Sequence, residues 1–249
     1  MSINQLLEKA DSLKNELNEL RKTLDNARIR EAFRIELIFE SNKIEGNSLT
    51  LRETQMVIEK GLTIGGKSMR EHLEAINHEE ALAYIEAIVK DEIPISERVL
   101  KQIHGIILHS IDRENAGVYR RLPVLISGSQ HIPPQPYLLD SLMTAYFEFY
   151  ESNKLLLHPI ILAAEMHERL VSIHPFIDGN GRTSRLIMNL ILLQHHFPYA
   201  ILSGNIEQRL AYYDALEAAS LDIEKVDFKT LIIKTVIGNL ERYISILKG

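Results

Sequence analysis

Residues 174–185 read His-Pro-Phe-Ile-Asp-Gly-Asn-Gly-Arg-Thr-Ser-Arg, and the side chains in this run could together serve a reaction on a phosphate ester. His174 titrates near neutral pH and can accept a proton from a hydroxyl. Asp178 is a hard oxygen ligand, suited to Mg²⁺ alongside phosphate oxygens. Gly179-Asn180-Gly181 lets the backbone take positive φ and turn consecutive N–H groups toward an anion. The apolar positions Leu186, Ile187, Leu190, Ile191 and Leu193 follow with the pattern of a buried helix. The glycine turn therefore sits at a helix N-terminus, where the backbone dipole favours phosphate. Arg182 and Arg185, three residues apart, share one face of that helix, and two guanidiniums there suit a polyphosphate better than a single carboxylate.

The run resembles the signature of the Fic family, His-Pro-Phe-x-Asp/Glu-Gly-Asn-Gly-Arg-x-x-Arg, without departure. The resemblance implies an all-α fold with a small β-hairpin flap. The implied activity is transfer of AMP from ATP to a Ser, Thr or Tyr hydroxyl of a protein, with release of pyrophosphate. It makes His174 the base and Asp178 the ligand of a Mg²⁺ cofactor. Gly179, Asn180 and Gly181 would cradle phosphates, Arg182 would hold the departing pyrophosphate, and Arg185 the γ-phosphate. Phe176 corresponds to a buried wedge that fixes the loop. ATP is the implied co-substrate, and the protein substrate, which could include the chain itself, is not identified. Relatives that transfer other phosphate-linked groups, or that remove AMP, leave those activities open, as does a non-enzymatic ATP-binding regulatory role.

Residues 41–47, Ser-Asn-Lys-Ile-Glu-Gly-Asn, close a helix whose apolar positions are Ala32, Phe33, Ile35, Leu37, Ile38 and Ile44, with Gly46 as its terminator. The segment is similar to the family's inhibitory motif. That resemblance pairs Glu45 with Arg185 and makes Ser41, Glu45 and Gly46 an inhibitory element within the same chain. Residues 117–134 suggest a hairpin, with Leu122 to Ile126 and His131-Ile132 as short strands around Ser-Gly-Ser. They resemble the family's flap, which would register a target segment through Val124, Leu125, Ile126, His131 and Ile132. Residues 212–219 resemble the segment that encloses adenine, placing Tyr213 and Leu216 on the base. Ser220 stands where some relatives carry Asn.

Two other motifs lack their structural context. Gly61 to Ser68 fits Gly-x-x-x-x-Gly-Lys-Ser, but residues 50–60 open with a Thr50/Glu53 capping box and read as a helix, not the strand a phosphate loop requires. A glycine linker is expected there, followed by a helix capped by Ser68 and Glu71. His167-Glu168 begins a zinc-protease pattern, but position 171 is Val.

The elements that must position these groups are helical throughout. Helices are expected near 31–45, 51–60, 69–90, 97–110, 138–152, 159–172, 181–196, 206–220 and 226–247. Residues 3–29 carry a heptad seam of Leu6, Ala10, Leu13, Leu17, Leu20 and Leu24, which could pair within the chain or with a second copy as a homodimer. Residues 1–94 are expected as an N-terminal helical region containing the inhibitory helix (about 31–47), and 95–249 as the catalytic core, in one unit. The 249 residues are 45% hydrophobic, enough for a full core. A formal net charge of −6 argues against general nucleic-acid binding, and the absence of cysteine fits a reducing compartment. The polar N-terminus and the lack of a long apolar run lead to the expectation of a cytoplasmic protein with no membrane span.

Overall fold

A run of long α-helices follows from the 3.6-residue spacing of apolar side chains and from local caps. The computed structural model describes residues 1–24, 27–221, 223 and 225–249. Its α-helices are α1 (Ile3–Leu24), α2 (Ala27–Ile44), α3 (Leu51–Lys60), α4 (Met69–Lys90), α5 (Glu97–Leu108), α6 (Leu139–Asn153), α7 (Pro159–Ile173), α8 (Asn180–Gln194), α9 (Ile206–Ser220) and α10 (Val226–Lys248). Both capping boxes form, Thr50 with Glu53 and Ser68 with Glu71, and Pro159 opens α7 where its missing N–H costs nothing. Gly61 ends α3 in the left-handed region, and Lys67 of the Gly-Lys-Ser sequence donates to Ser48, so this segment is the expected linker and holds no phosphate loop.

The central helix is α8, buried on nearly every side from Asn180 to Leu192, with α7 and α5 packed against it. Its polar interior is satisfied locally: Asn189 donates to the Arg185 and Ala200 carbonyls and accepts from the Ala200 N–H. The heptad seam of α1 lies along α10. Leu6, Ala10 and Leu17 are buried in the same core as Leu240, Tyr243, Ile244 and Leu247, and Lys9–Glu241 and Lys248–Glu16 pairs flank the contact. The expected 3–29 helix runs to Leu24; positions 25 and 26 lie outside the described residues, and 27–29 begin α2. No described helix is long and apolar enough to cross a membrane.

The expected β-hairpin is not formed. Among the described residues there is no strand, and 121–135 run as turns and extended chain. The reason lies in where the backbone groups go. Pro123, Pro133 and Pro134 have no N–H to give a ladder. The N–H groups of Ser129, Gln130 and His131 go to the Ile126 carbonyl, Glu217 and the Ser129 hydroxyl. The two arms are joined by a side chain instead: the Arg120 guanidinium donates to the Leu122 carbonyl at 3.2 Å and the Pro134 carbonyl at 2.6 Å.

Several histidines are sealed in this core. Burial drives His78 well below its ordinary pKa, His104 and His174 to about 4 and His167 to about 3. Folded, they hold fewer protons than the unfolded chain between those values and about 6.5. Their contribution to stability is complete above about pH 6.5 and is lost as pH falls toward about 4. The urea midpoint should therefore drop from about pH 7 to about pH 5; an unchanged midpoint would contradict the burial of these rings.

Candidate functional site

The site forms where α7 ends and α8 begins. His174 terminates α7 in the left-handed region (φ 50°, ψ 57°), an uncommon and strained setting for a non-glycine residue. Its carbonyl accepts from Arg120 Nε at 2.7 Å, and the next carbonyl, of Pro175, accepts from the Arg120 backbone N–H at 2.9 Å. Burial lowers the imidazole pKa to about 4 and Arg120 adds to this, against the opposing pull of the Val171 carbonyl and Glu45. The ring is therefore neutral near pH 7 and can accept a proton.

The loop beyond His174 is fixed from below. Phe176 is fully buried and stacks on His104 with ring centroids 3.6 Å apart. His104 Nε2 bonds the Asp178 carbonyl at 2.9 Å, and its Nδ1 accepts from the Gly117 N–H, which fixes Nε2 as the donor. Asn180 closes the loop on itself, accepting from the Phe176 N–H and donating to the Phe176 carbonyl. Its side chain is thus a loop staple. Gly179 takes φ 77° at the start of α8.

Above this N-terminus sits Glu45. Gly46 (φ 95°) ends α2 in a Schellman arrangement, with the Asn47 N–H on the Asn42 carbonyl and the Gly46 N–H on the Lys43 carbonyl. Glu45 projects from that turn rather than from the helix proper. Its Oε1 accepts from Arg185 Nη2 at 2.6 Å, while Arg185 also donates to the Ser41 hydroxyl at 2.9 Å and the Ser41 carbonyl at 3.0 Å. The same carboxylate lies against Gly181, where a Cβ would collide with it. Only 2% of the Arg185 side chain is exposed. Burial alone would lower its pKa, but Glu45 and Tyr212 outweigh that and raise it.

The remaining charges are paired as well. Arg182 is buried, 3.4 Å from Asp178 and 3.6 Å from Glu74, yet its Nε and Nη1 have no hydrogen-bond partner. Such orphaned donors fit an anionic ligand. Asp178 accepts from the Gly179 N–H at 2.6 Å and from Arg70 at 2.6 Å. Burial pushes its pKa up, but Arg182, the Gly179 N–H and Arg70 together bring it below the usual value, so it stays anionic. Among the described residues no cluster of three or more His, Cys, Asp or Glu could hold a metal alone. An anionic carboxylate beside orphaned arginine donors nonetheless fits Mg²⁺ held jointly with phosphate oxygens.

Residues 94–192 match the Fic/DOC family. Fic-1 of C. elegans (residues 134–508) superposes with a TM-score of 0.87 at 30% identity, over 98% of this chain and 72% of that one. The chain belongs to the Fic/DOC family. A Fic-domain signalling protein from Bacteroides thetaiotaomicron has the same fold (TM-score 0.85, 27% identity, 97% of each chain). Among curated sequences, the protein adenylyltransferase Fic of Drosophila erecta is 37% identical over 86% of this chain, and that of Drosophila melanogaster 36% over the same share. This chain spans 43% of the length of these relatives, less than half.

On this Fic fold the expected site residues His174, Asp178, Gly179, Asn180, Gly181, Arg182, Arg185, Ser41, Glu45 and Gly46 converge on one end of α8. Tyr213 is brought to the turn that carries Glu45, where its hydroxyl donates to the Ile44 carbonyl at 2.9 Å; Leu216 is buried. The Ser220 hydroxyl bonds that of Ser172 at 2.7 Å, and Ser172 donates to Glu168. In the flap region, Leu125 and Ile132 are exposed and Val124 and Ile126 half-buried, while His131 bonds the Ser172 carbonyl and Glu217 holds Ser129 and Gln130. Sequence reasoning overlooked Arg120, His104, Glu74 and Arg70. Nothing in the spacing marked them, although Arg120 follows the glycine turn that seats His104.

Arg120 ties the flap arms to His174, so Arg120→Met should leave partly buried carbonyls without their donor and cost about 1–2 kcal/mol of stability. Hydrogen exchange at 122–134 should quicken in the same variant. Unchanged exchange there would show that the guanidinium does not hold the segment.

Proposed function

We propose that this protein transfers AMP from ATP to a hydroxyl side chain of a target protein, and that Glu45 keeps it inhibited. The observation that carries the reading is the Glu45 carboxylate bonded to Arg185 and seated on Gly181, where an anion belongs. A polyphosphate reaching the same guanidinium must displace it. The relatives named protein adenylyltransferase support the choice of reaction.

In the productive state neutral His174 would take the proton of the target hydroxyl. That oxygen would then attack the α-phosphorus, and the bond to the departing pyrophosphate would break. Arg182 would hold the pyrophosphate with its orphaned donors, and Arg185 the γ-phosphate. Asp178 would hold Mg²⁺, which supplies charge neutralisation for the phosphates when bound. Tyr213 and Leu216 would wall the adenine. The target segment would lie along Val124 to Ile126 and His131-Ile132, whose side chains Leu125 and Ile132 are exposed to meet it. In this scheme residues 1–94 regulate and 95–249 carry the chemistry.

Purified Glu45→Gly given α-³²P-ATP and Mg²⁺ in cell lysate should incorporate more label than wild type by about tenfold or more, the factor that ~1.4 kcal/mol of competition withholds. Glu45→Gly/His174→Ala should incorporate none. Equal label in wild type and Glu45→Gly would end the inhibitory assignment. The pH dependence supplies an independent check. Because His174 is held neutral down to about 4, activity of Glu45→Gly should be level through neutrality and fall only well below pH 6.5. An acid limb centred near 6.5 would mean the ring is not buried as described.

A further inference from the structure

Arg70 is a charged residue at this site for which the proposed reaction has no use. It leaves the first turn of α4, donates through Nε to Glu74 Oε1 at 3.1 Å, and reaches Asp178 Oδ2 with Nη2 at 2.6 Å. We infer that Arg70 competes with the divalent cation for Asp178, and so sets how strongly nucleotide binding depends on metal. The inference rests on the functional reading above.

The two oxygens of Asp178 are differently committed. Oδ1 faces inward, accepting from the Gly179 N–H and lying 3.4 Å from Arg182. Oδ2 is the oxygen that Arg70 covers. A cation bonding Oδ2 at roughly 2.0–2.1 Å would meet the guanidinium head on, in both space and charge. The arm is held by Glu74 yet more than half exposed, with 57% of the Arg70 side chain accessible, so it can withdraw without opening the core. Glu74 itself is anchored by Asn47 at 2.9 Å, just after the inhibitory turn. The pair therefore belongs to the N-terminal elements, as Glu45 does, but acts on a different signature residue.

This arrangement has a consequence of opposite sign in the two ionic states. Without metal, Arg70 neutralises Asp178 and shields the incoming phosphates from its charge. With metal, Arg70 must be displaced, and its removal favours binding. A guanidinium that merely attracts phosphate would help in both states.

The test is calorimetric binding of a non-hydrolysable ATP analogue to Glu45→Gly and to Glu45→Gly/Arg70→Gln, each with excess Mg²⁺ and with EDTA. Removing Arg70 should tighten the Mg²⁺ complex and weaken the metal-free one, each by roughly two- to fivefold, the scale of one partly exposed ion pair. Mn²⁺ titration followed by electron paramagnetic resonance, with the same analogue present, should show the same tightening. Affinities that fall together, or that do not change, would overturn the inference while leaving the proposed function standing. Failure of Glu45→Gly to bind the analogue under either condition would overturn both.

Discussion

Arg185 is buried one turn into α8, and a buried guanidinium needs an anion. In this structure the anion comes from within the chain. Glu45 supplies it, and in doing so also occupies the partly positive N-terminus of α8 beside Gly181. Two demands, charge on the arginine and charge at the helix end, are met by one carboxylate. They are also the two demands that a nucleotide polyphosphate would meet. On the proposed function, carboxylate and phosphate would compete for Arg185, and most of the N-terminal architecture can be understood as delivering Glu45 to that point.

That delivery is over-determined. The Schellman turn at Gly46 aims Glu45, Ser41 adds two further bonds to Arg185, and Tyr213 caps the Ile44 carbonyl. From the other side α4 grips the turn through the Asn42 and Asn47 side chains, bonded to Glu74 and the Glu71 carbonyl. The same helix pairs Arg70 with Asp178 and brings Glu74 toward Arg182. Each charged signature residue thus faces an opposite charge from α2, the turn after it, or α4. These contacts hold the backbone of the turn, while the Glu45 carboxylate itself is one-third exposed and bonded to Arg185. Beneath the loop, Phe176 on His104, Asn180 on Phe176, and Arg120 on His174 are contacts made without Glu45.

Much of this was legible in the sequence, because helices announce themselves locally. The caps at Thr50 and Ser68, Pro159 at the start of α7 and Gly46 after α2 depend on neighbours a few residues away. The 174–185 run was equally readable, since its turn, helix start and paired arginines are contiguous. The flap was not. A short apolar run and a glycine turn suggest a hairpin, but the prolines withhold N–H groups, and the arms are bridged by Arg120, whose role depends on contacts invisible along the chain. His104 and Arg70 escaped for the same reason: their partners at Asp178 lie 74 and 108 residues away. The heptad seam was compatible with more than one partner, and α10, at the far end of the chain, covers it.

On the proposed function, Glu45 and the γ-phosphate cannot share Arg185. The most direct measurement is a pair of crystal structures, of wild type and Glu45→Gly, each soaked with Mg²⁺ and a non-hydrolysable ATP analogue. Wild type should retain the Glu45–Arg185 contact with the γ-phosphate turned away. In Glu45→Gly the γ-phosphate should rest on Arg185 and the N-terminus of α8. A γ-phosphate bonded to Arg185 in wild type, with Glu45 still in place, would contradict it.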